Sequence, residues 1–194
     1  MILPVVAYGD PVLRKKGKEI GKDYPDLTEL IENMKETMQN ASGVGLAAPQ
    51  IGHAIKLFIV DASPFADMED MEEEEKNYLK EFKKIFINAK IIKEDGDEWI
   101  FNEGCLSVPN INEDVVRKEF VTLEYQDENF EKHTKTFGGL PARIIQHEYD
   151  HTEGIIFTDR LSSLKKRLLK KKLDNISKGK VEVSYRMRYP KLKF

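Results

Sequence analysis

The segment Gln146-His147-Glu148-Tyr149-Asp150-His151-Thr152-Glu153-Gly154 constrains the fold more than any other part of the chain. Two histidines four residues apart reach one point in space when the chain between them is helical, because i and i+4 side chains then lie one turn apart on the same face. Pro141 suits the first turn of such a helix and Gly154 its end, which predicts a helix over residues 141–152 carrying both imidazoles. Glu148 falls in an adjacent sector, where it could meet a water held by an ion without binding the ion itself. Leu140 and Ile144 continue the histidine face at spacings of four and three, so this face passes into an apolar one. Those aliphatics serve equally as core or as one wall of a pocket.

Two histidines leave a metal site incomplete. An extended His-Glu-x-x-His-x-x-Gly-x-x-His pattern would need histidine at 157, where this chain has Phe157. A glutamate from a later helix is little better supported, since Glu182 is the only glutamate after Glu153 and sits in a strand-like pattern. His53 and His133 stay open as ligands, although His133 reads as the polar side of a hairpin strand. Cys105 is the stronger candidate. It lies in Glu103-Gly104-Cys105-Leu106-Ser107-Val108-Pro109, a turn after a strand, with Gly104 permitting close backbone approach. A lone cysteine is more often a small buried hydrophobe. A Cys-His-His set, however, would leave a fourth position open for activating water.

The remaining pattern predicts an α+β fold of mostly antiparallel sheet around the histidine helix. Leu27, Leu30, Ile31, Met34 and Met38 mark a helix over 26–40, with Asp26 and Glu29 as a capping pair. A glycine-rich loop, Gly43-Val44-Gly45-Leu46-Ala47-Ala48-Pro49-Gln50, leads to a strand at 56–60. Strands are expected at 85–92 and 98–101, with a hairpin of 115–125 and 130–137 turning at Asp127-Glu128-Asn129. Ser162 starts a last helix closed by Gly179, and 181–188 alternates like a strand. The 194 residues read as one catalytic domain.

Charge is unevenly placed. Residues 160–194 hold 13 Lys and Arg against 2 acidic residues, a basic helix and strand-like tail that could touch nucleic acid. Residues 63–84 read as an exposed insertion, with seven acidic residues between Asp67 and Glu75. No apolar run reaches the roughly 18 residues of a membrane span, no secretory signal is recognisable, and the single cysteine excludes an internal disulfide. These features lead us to expect a cytoplasmic protein without membrane contact.

Three motifs together resemble the peptide deformylase family: Gly43 to Gln50 is similar to its GxGLAAPQ, Glu103 to Ser107 to its EGCLS, and His147 to His151 to its HExDH. Gly9-Asp10-Pro11-Val12-Leu13-Arg14 is similar to its N-terminal segment, and the likeness runs to about residue 170. Thr152 stands where the family usually has leucine. The resemblance implies hydrolysis of the N-formyl group from formyl-methionyl nascent peptides, releasing formate. It implies Cys105, His147 and His151 as metal ligands and Glu148 as general acid/base on a metal-bound water. By the same resemblance Gln50 and the Leu106 N–H hold the developing oxyanion, and the Gly43 to Gly45 backbone pairs with the peptide. Glu103 and Gly104 are expected at the substrate, and Val44, Phe101, Leu140 and Ile144 around the methionine side chain. The family's metal is usually Fe2+, with Zn2+, Ni2+ or Co2+ able to replace it, whereas ligand chemistry alone would suggest zinc. The expected partners are the nascent chain and, through the basic C-terminal region, the ribosome; a monomer is expected. A metallopeptidase that does not need Cys105, and an RNA-binding protein with a closed structural metal site, are the competing readings.

Overall fold

In the computed structural model, which describes residues 1–68 and 71–190, the histidine helix is the central element. The elements run β1 (Val5–Val6), α1 (Leu27–Asn40), β2 (Gly45–Ala47), β3 (Leu57–Asp61), α2 (Glu73–Glu81), β4 (Lys83–Cys105), β5 (Val108–Gln126), β6 (Lys132–Gly138), α3 (Gly139–Thr152), α4 (Ser163–Ser177) and β7 (Met187–Arg188). Strands β2 to β6 form one five-stranded antiparallel sheet in sequence order, and β1 pairs with β7 in parallel. The α+β expectation therefore holds.

Helix α3 is buried along nearly its whole length, including Arg143, Gln146, Glu148 and Asp150. An apolar stripe would not need these polar groups inside, so they have to find partners in the interior. Ile144 and Ile145 pack with Phe58, Phe86, Val121 and Phe137 of the sheet. Phe58 and Phe86 stack at 4.7 Å, which fixes β3 against β4 beside the helix. A second cluster joins α4, through Leu169, Leu173 and Ile176, to Val108, Ile111 and Val115 of β5. A third packs Leu30, Ile31, Met34 and Met38 of α1 on Leu46, Leu57 and Ile59.

Several sequence expectations change. The segments 85–92 and 98–101 belong to one long strand, β4, whose register shifts mark irregularities at Ile87/Lys90, Ile91/Lys93, Asp95/Glu98 and Glu103/Cys105. The stretch Asp95-Gly96-Asp97, turn-like in composition, stays in the ladder because Gly96 takes φ +79° under the Phe120 ring. Asn88, with φ +52°, sits at the first shift; its side-chain amide accepts from Ile20 N–H and donates to Ile20 O. The capping pair at α1 does not form, since Asp26 adopts a left-handed conformation and makes no side-chain cap bond. Residues 45–47 of the glycine-rich loop are strand β2, and 48–51 a 3-10 turn. Within 63–84, Ala66, Leu79 and Phe82 are buried against the sheet, so this segment is not exposed throughout. Glu69 and Asp70 of its acidic run lie outside the described residues. Of the expected strand 181–188, only Met187 and Arg188 pair.

Candidate metal centre and active site

Three elements meet at the centre. Helix α3 supplies His147, Glu148 and His151; the end of β4 supplies Cys105; the turn after β2 supplies Gln50. One ligand atom from each of Cys105, His147 and His151 lies within 4.8 Å of the others. Cys105 Sγ is 3.3 Å from His151 Nε2. Ligands at bond lengths of about 2.0–2.3 Å around a tetrahedral ion stand roughly 3.3–3.8 Å apart, and the Cys105–His151 separation falls in that range.

The orientation of each donor has a cause. His147 Nδ1 lies 2.9 Å from Glu103 Oε2, so the ring donates there and its other nitrogen is left to ligate. Glu103 is itself gripped by Arg117, whose Nε and Nη2 donate to its two oxygens at 2.7 and 2.9 Å, and by Arg143 Nη1 at 3.1 Å. Arg117 also donates to Asp150 at 2.8 Å, and Arg160 closes on Asp150 with two bonds of 2.6 Å. Burial alone would raise the Glu103 carboxyl, but the hydrogen bonds from His147 and Arg117 hold it well below the usual carboxylate range. Burial lowers both imidazoles. For His147 the adjacent Cys105 and Glu103 outweigh this and raise it, whereas His151, facing the His147 charge, stays well below its ordinary value.

Gln50 is held by its carbonyl end. Oε1 accepts from Ala47 N–H at 2.8 Å, which turns Nε2 toward Cys105 Sγ at 3.5 Å and Ser107 Oγ at 3.4 Å. A donor therefore points at the space beside the metal ligands. Glu148 is buried, and burial pushes its carboxyl up to about 7. Its Oε2 has no hydrogen-bond partner among the described residues, so the group is presented to this space rather than bound into the structure.

Glycine at 45 is a consequence of that placement. A Cβ there would sit 2.5 Å from Glu148 Oε1 and 2.7 Å from its Cγ. Gly45→Ala should displace the carboxylate and lower kcat by roughly 10- to 100-fold at unchanged metal content, as misplacement of a reacting group by about 1 Å does. Steady-state rates normalised to bound metal would measure this, and a wild-type kcat would show that Glu148 can shift without consequence.

A cleft of about 560 Å³ opens over these groups. Gly43, Val44, Gly45, Gln50, Phe101, Glu103, Gly104, Cys105, Leu106, Ile144, His147 and Glu148, twelve of the candidate residues, line it. Leu140 does not; it is buried among the sheet residues of the core. The Glu103 carboxylate is turned to Arg117, Arg143 and His147. His53 is placed against Tyr24 and His133 against Asp127, so neither joins Cys105. Sequence reasoning missed Arg117, Arg143 and Arg160 altogether. The available signal was Asp150, a charge inside a helix face that had to be buried.

A buried Cys/His/His cluster, a carboxylate beside it and an open cleft above define a metal-dependent hydrolase. Comparison with known proteins narrows the class. The family model for polypeptide deformylase matches residues 2–167. A peptide deformylase of Christiangramia forsetii is 63% identical over 193 residues, covering 100% of this chain and 98% of the relative. One of Flavobacterium johnsoniae is 61% identical over 189 residues, covering 97% and 96%. The crystal structure of a peptide deformylase from Legionella pneumophila superposes with a TM-score of 0.77 at 36% identity, covering 93% of this chain and 98% of that one. The chain belongs to the polypeptide deformylase family. Its activity is that of the family, hydrolytic removal of the N-formyl group from nascent peptides.

Proposed function

We propose that Cys105, His147 and His151 hold one divalent ion, Fe2+ in the resident enzyme with Zn2+, Ni2+ or Co2+ able to substitute, and that Glu148 is the general acid/base. The observation that carries this reading is the buried Glu148 Oε2, without a partner among the described residues, beside the three-ligand cluster and facing the cleft. The ion supplies Lewis acidity, polarising the formyl carbonyl and making water acidic enough to attack at neutral pH. Glu148 takes the proton from the attacking water and returns it to the amine nitrogen as the C–N bond breaks. Negative charge builds on the formyl oxygen. Gln50 Nε2, aimed by its bond from Ala47, and the backbone N–H of Leu106 donate to it.

The segment Gly43 to Gly45, which leads into edge strand β2, offers its remaining backbone groups to an extended peptide, in the manner of an added strand. Val44, Phe101 and Ile144 on the cleft wall receive the methionine side chain, with Leu140 supporting them from the core. Formate release from a formyl-Met-Ala-Ser peptide tests the reading. A chelator should abolish it, and Fe2+, Co2+ or Ni2+ added anaerobically should restore it in proportion to metal bound. Full activity after complete metal removal would overturn the assignment of the cluster.

The enzyme is further proposed to work in the cytoplasm as a monomer and to linger at the ribosome through its basic C-terminal region. Helix α4 presents Lys165, Lys166, Arg167, Lys170, Lys171 and Lys172, with Leu164 and Leu168 exposed between them. No helix among the described residues is long and apolar enough to cross a membrane. Replacing Lys170, Lys171 and Lys172 by Glu should weaken cosedimentation with ribosomes and flatten its salt dependence. Unchanged cosedimentation would remove α4 from the interaction.

A further inference from the structure

The metal ligand Cys105 opens a two-residue turn whose first residue is the oxyanion donor Leu106. Cys105 pairs with Val108 across the β4–β5 hairpin, leaving Leu106 and Ser107 at its tip. Such a turn can rotate its central peptide, the motion that interconverts turn types. Three bonds from distant parts of the chain hold this turn. Tyr8 N–H donates to Ser107 O at 2.8 Å, Gln50 Nε2 faces Ser107 Oγ at 3.4 Å, and Tyr185 Oη donates to Leu106 O at 2.8 Å. Only the last grips the carbonyl of the central peptide itself.

Tyr185 reaches the turn because the C-terminal segment folds back over the cleft. β7 anchors its end beside β1, with Val5 N–H donating to Arg186 O at 2.9 Å. Asn110 Nδ2 donates to Glu182 O at 3.0 Å and ties its start to β5. Between these ties Glu182, Val183, Ser184 and Tyr185 line the cleft together with Val44 and Ile144. The match to the family model ends at residue 167, so residues 182–185 lie beyond the segment that the model describes.

We propose that residues 182–185 are part of the active site and that Tyr185 is a positioning residue, its phenol holding the Leu106 carbonyl, one peptide on from the Leu106 N–H, so that the turn keeps Cys105 Sγ and Leu106 N–H in place around the reacting carbonyl. This rests on Leu106 N–H being an oxyanion donor. The Tyr185 side chain is half-buried and pinned at both ends of its segment, so the bond requires little further ordering when substrate arrives. A phenol is protonated throughout the neutral range and remains a donor to the carbonyl there.

Tyr185→Phe keeps the ring and removes the donor. In metal-loaded enzyme, kcat per bound metal for formyl-Met-Ala-Ser should fall about five- to tenfold while KM stays within about twofold, the loss expected of one aligned hydrogen bond felt mainly in the transition state. Amide exchange at residues 105–108 should accelerate by a similar factor, with exchange in α1 unchanged. A kcat within twofold of wild type together with unchanged exchange at 105–108 overturns the proposal. So does a rate loss that merely tracks a loss of folded, metal-loaded protein. Gln50→Met, made in parallel, reads the side-chain half of the oxyanion site separately. An undiminished kcat there overturns the Gln50 donor, and the exchange at 105–108 decides by itself whether Tyr185 clamps the turn.

Discussion

Glu148→Ala should lower formate release by about 1,000-fold while the protein keeps its metal and its fold. The size follows from the role: a positioned acid/base that both activates water and protonates the leaving nitrogen contributes roughly 100- to 10,000-fold. Metal should stay because Glu148 is not one of the clustered donors, Cys105, His147 and His151. Stability should change little or improve, since the wild-type carboxylate is buried with an oxygen that has no partner among the described residues. The pH dependence carries a sign. Burial pushes the Glu148 carboxyl up to about 7 against the opposing pull of the neighbouring His147 charge. The base form is the carboxylate, so kcat/KM should rise with pH through the resulting pKa, and this acid limb should vanish in the residual activity of the variant. Measuring rate, metal content and melting temperature together separates the outcomes. A variant that loses metal along with activity would make Glu148 a ligand, and one that keeps both would move the acid/base elsewhere.

The parts of this site legible in the sequence were those whose chemistry is local. His147, Glu148 and His151 declare themselves because helical spacing converts four residues of sequence into one turn of space. Gly154 and Pro141 bracket that helix, and the structure runs it from Gly139 to Thr152. Cys105 is 42 residues from His147, and spacing alone could not choose between it and other donors; the resemblance to a known motif did. Strand β4 was harder to read. Its middle is charged and exposed, and its register shifts break the period-two alternation by which a strand is recognised. Tyr185 gave no sign, because it acts on a backbone carbonyl 79 residues away. Leu140 shows the converse error: its spacing along the helix placed it on the histidine face, but the face turns into the sheet before the cleft begins.

The buried charge network was the least legible part, and its removal should have the largest effect on stability. Arg117→Met should destabilise the protein by about 3–5 kcal/mol, the cost of leaving buried carboxylates without their partner. Arg117 is 4% exposed, Glu103 4% and Asp150 3%, so water cannot replace the lost guanidinium. Arg143 still donates to Glu103 and Arg160 to Asp150, which places the loss toward the lower end of that range. The effect should depend on pH in a defined direction. The Glu103 carboxyl is held below its unfolded value of about 4.3, so its stabilising contribution is complete above roughly pH 5 and is lost as pH falls further. Without Arg117 that depression is smaller. The gap between wild type and variant, measured by urea unfolding at equal metal loading, should therefore be widest near neutrality and narrow below about pH 4. A gap constant from pH 7 to pH 3.5 would mean that Arg117 stabilises through packing of its side chain and not through charge. The same variant tests how the fold holds the centre, because Glu103 orients His147 and Arg117 orients Glu103. Weaker metal affinity should accompany the lost stability, by about 10- to 100-fold as for other groups that orient a ligand.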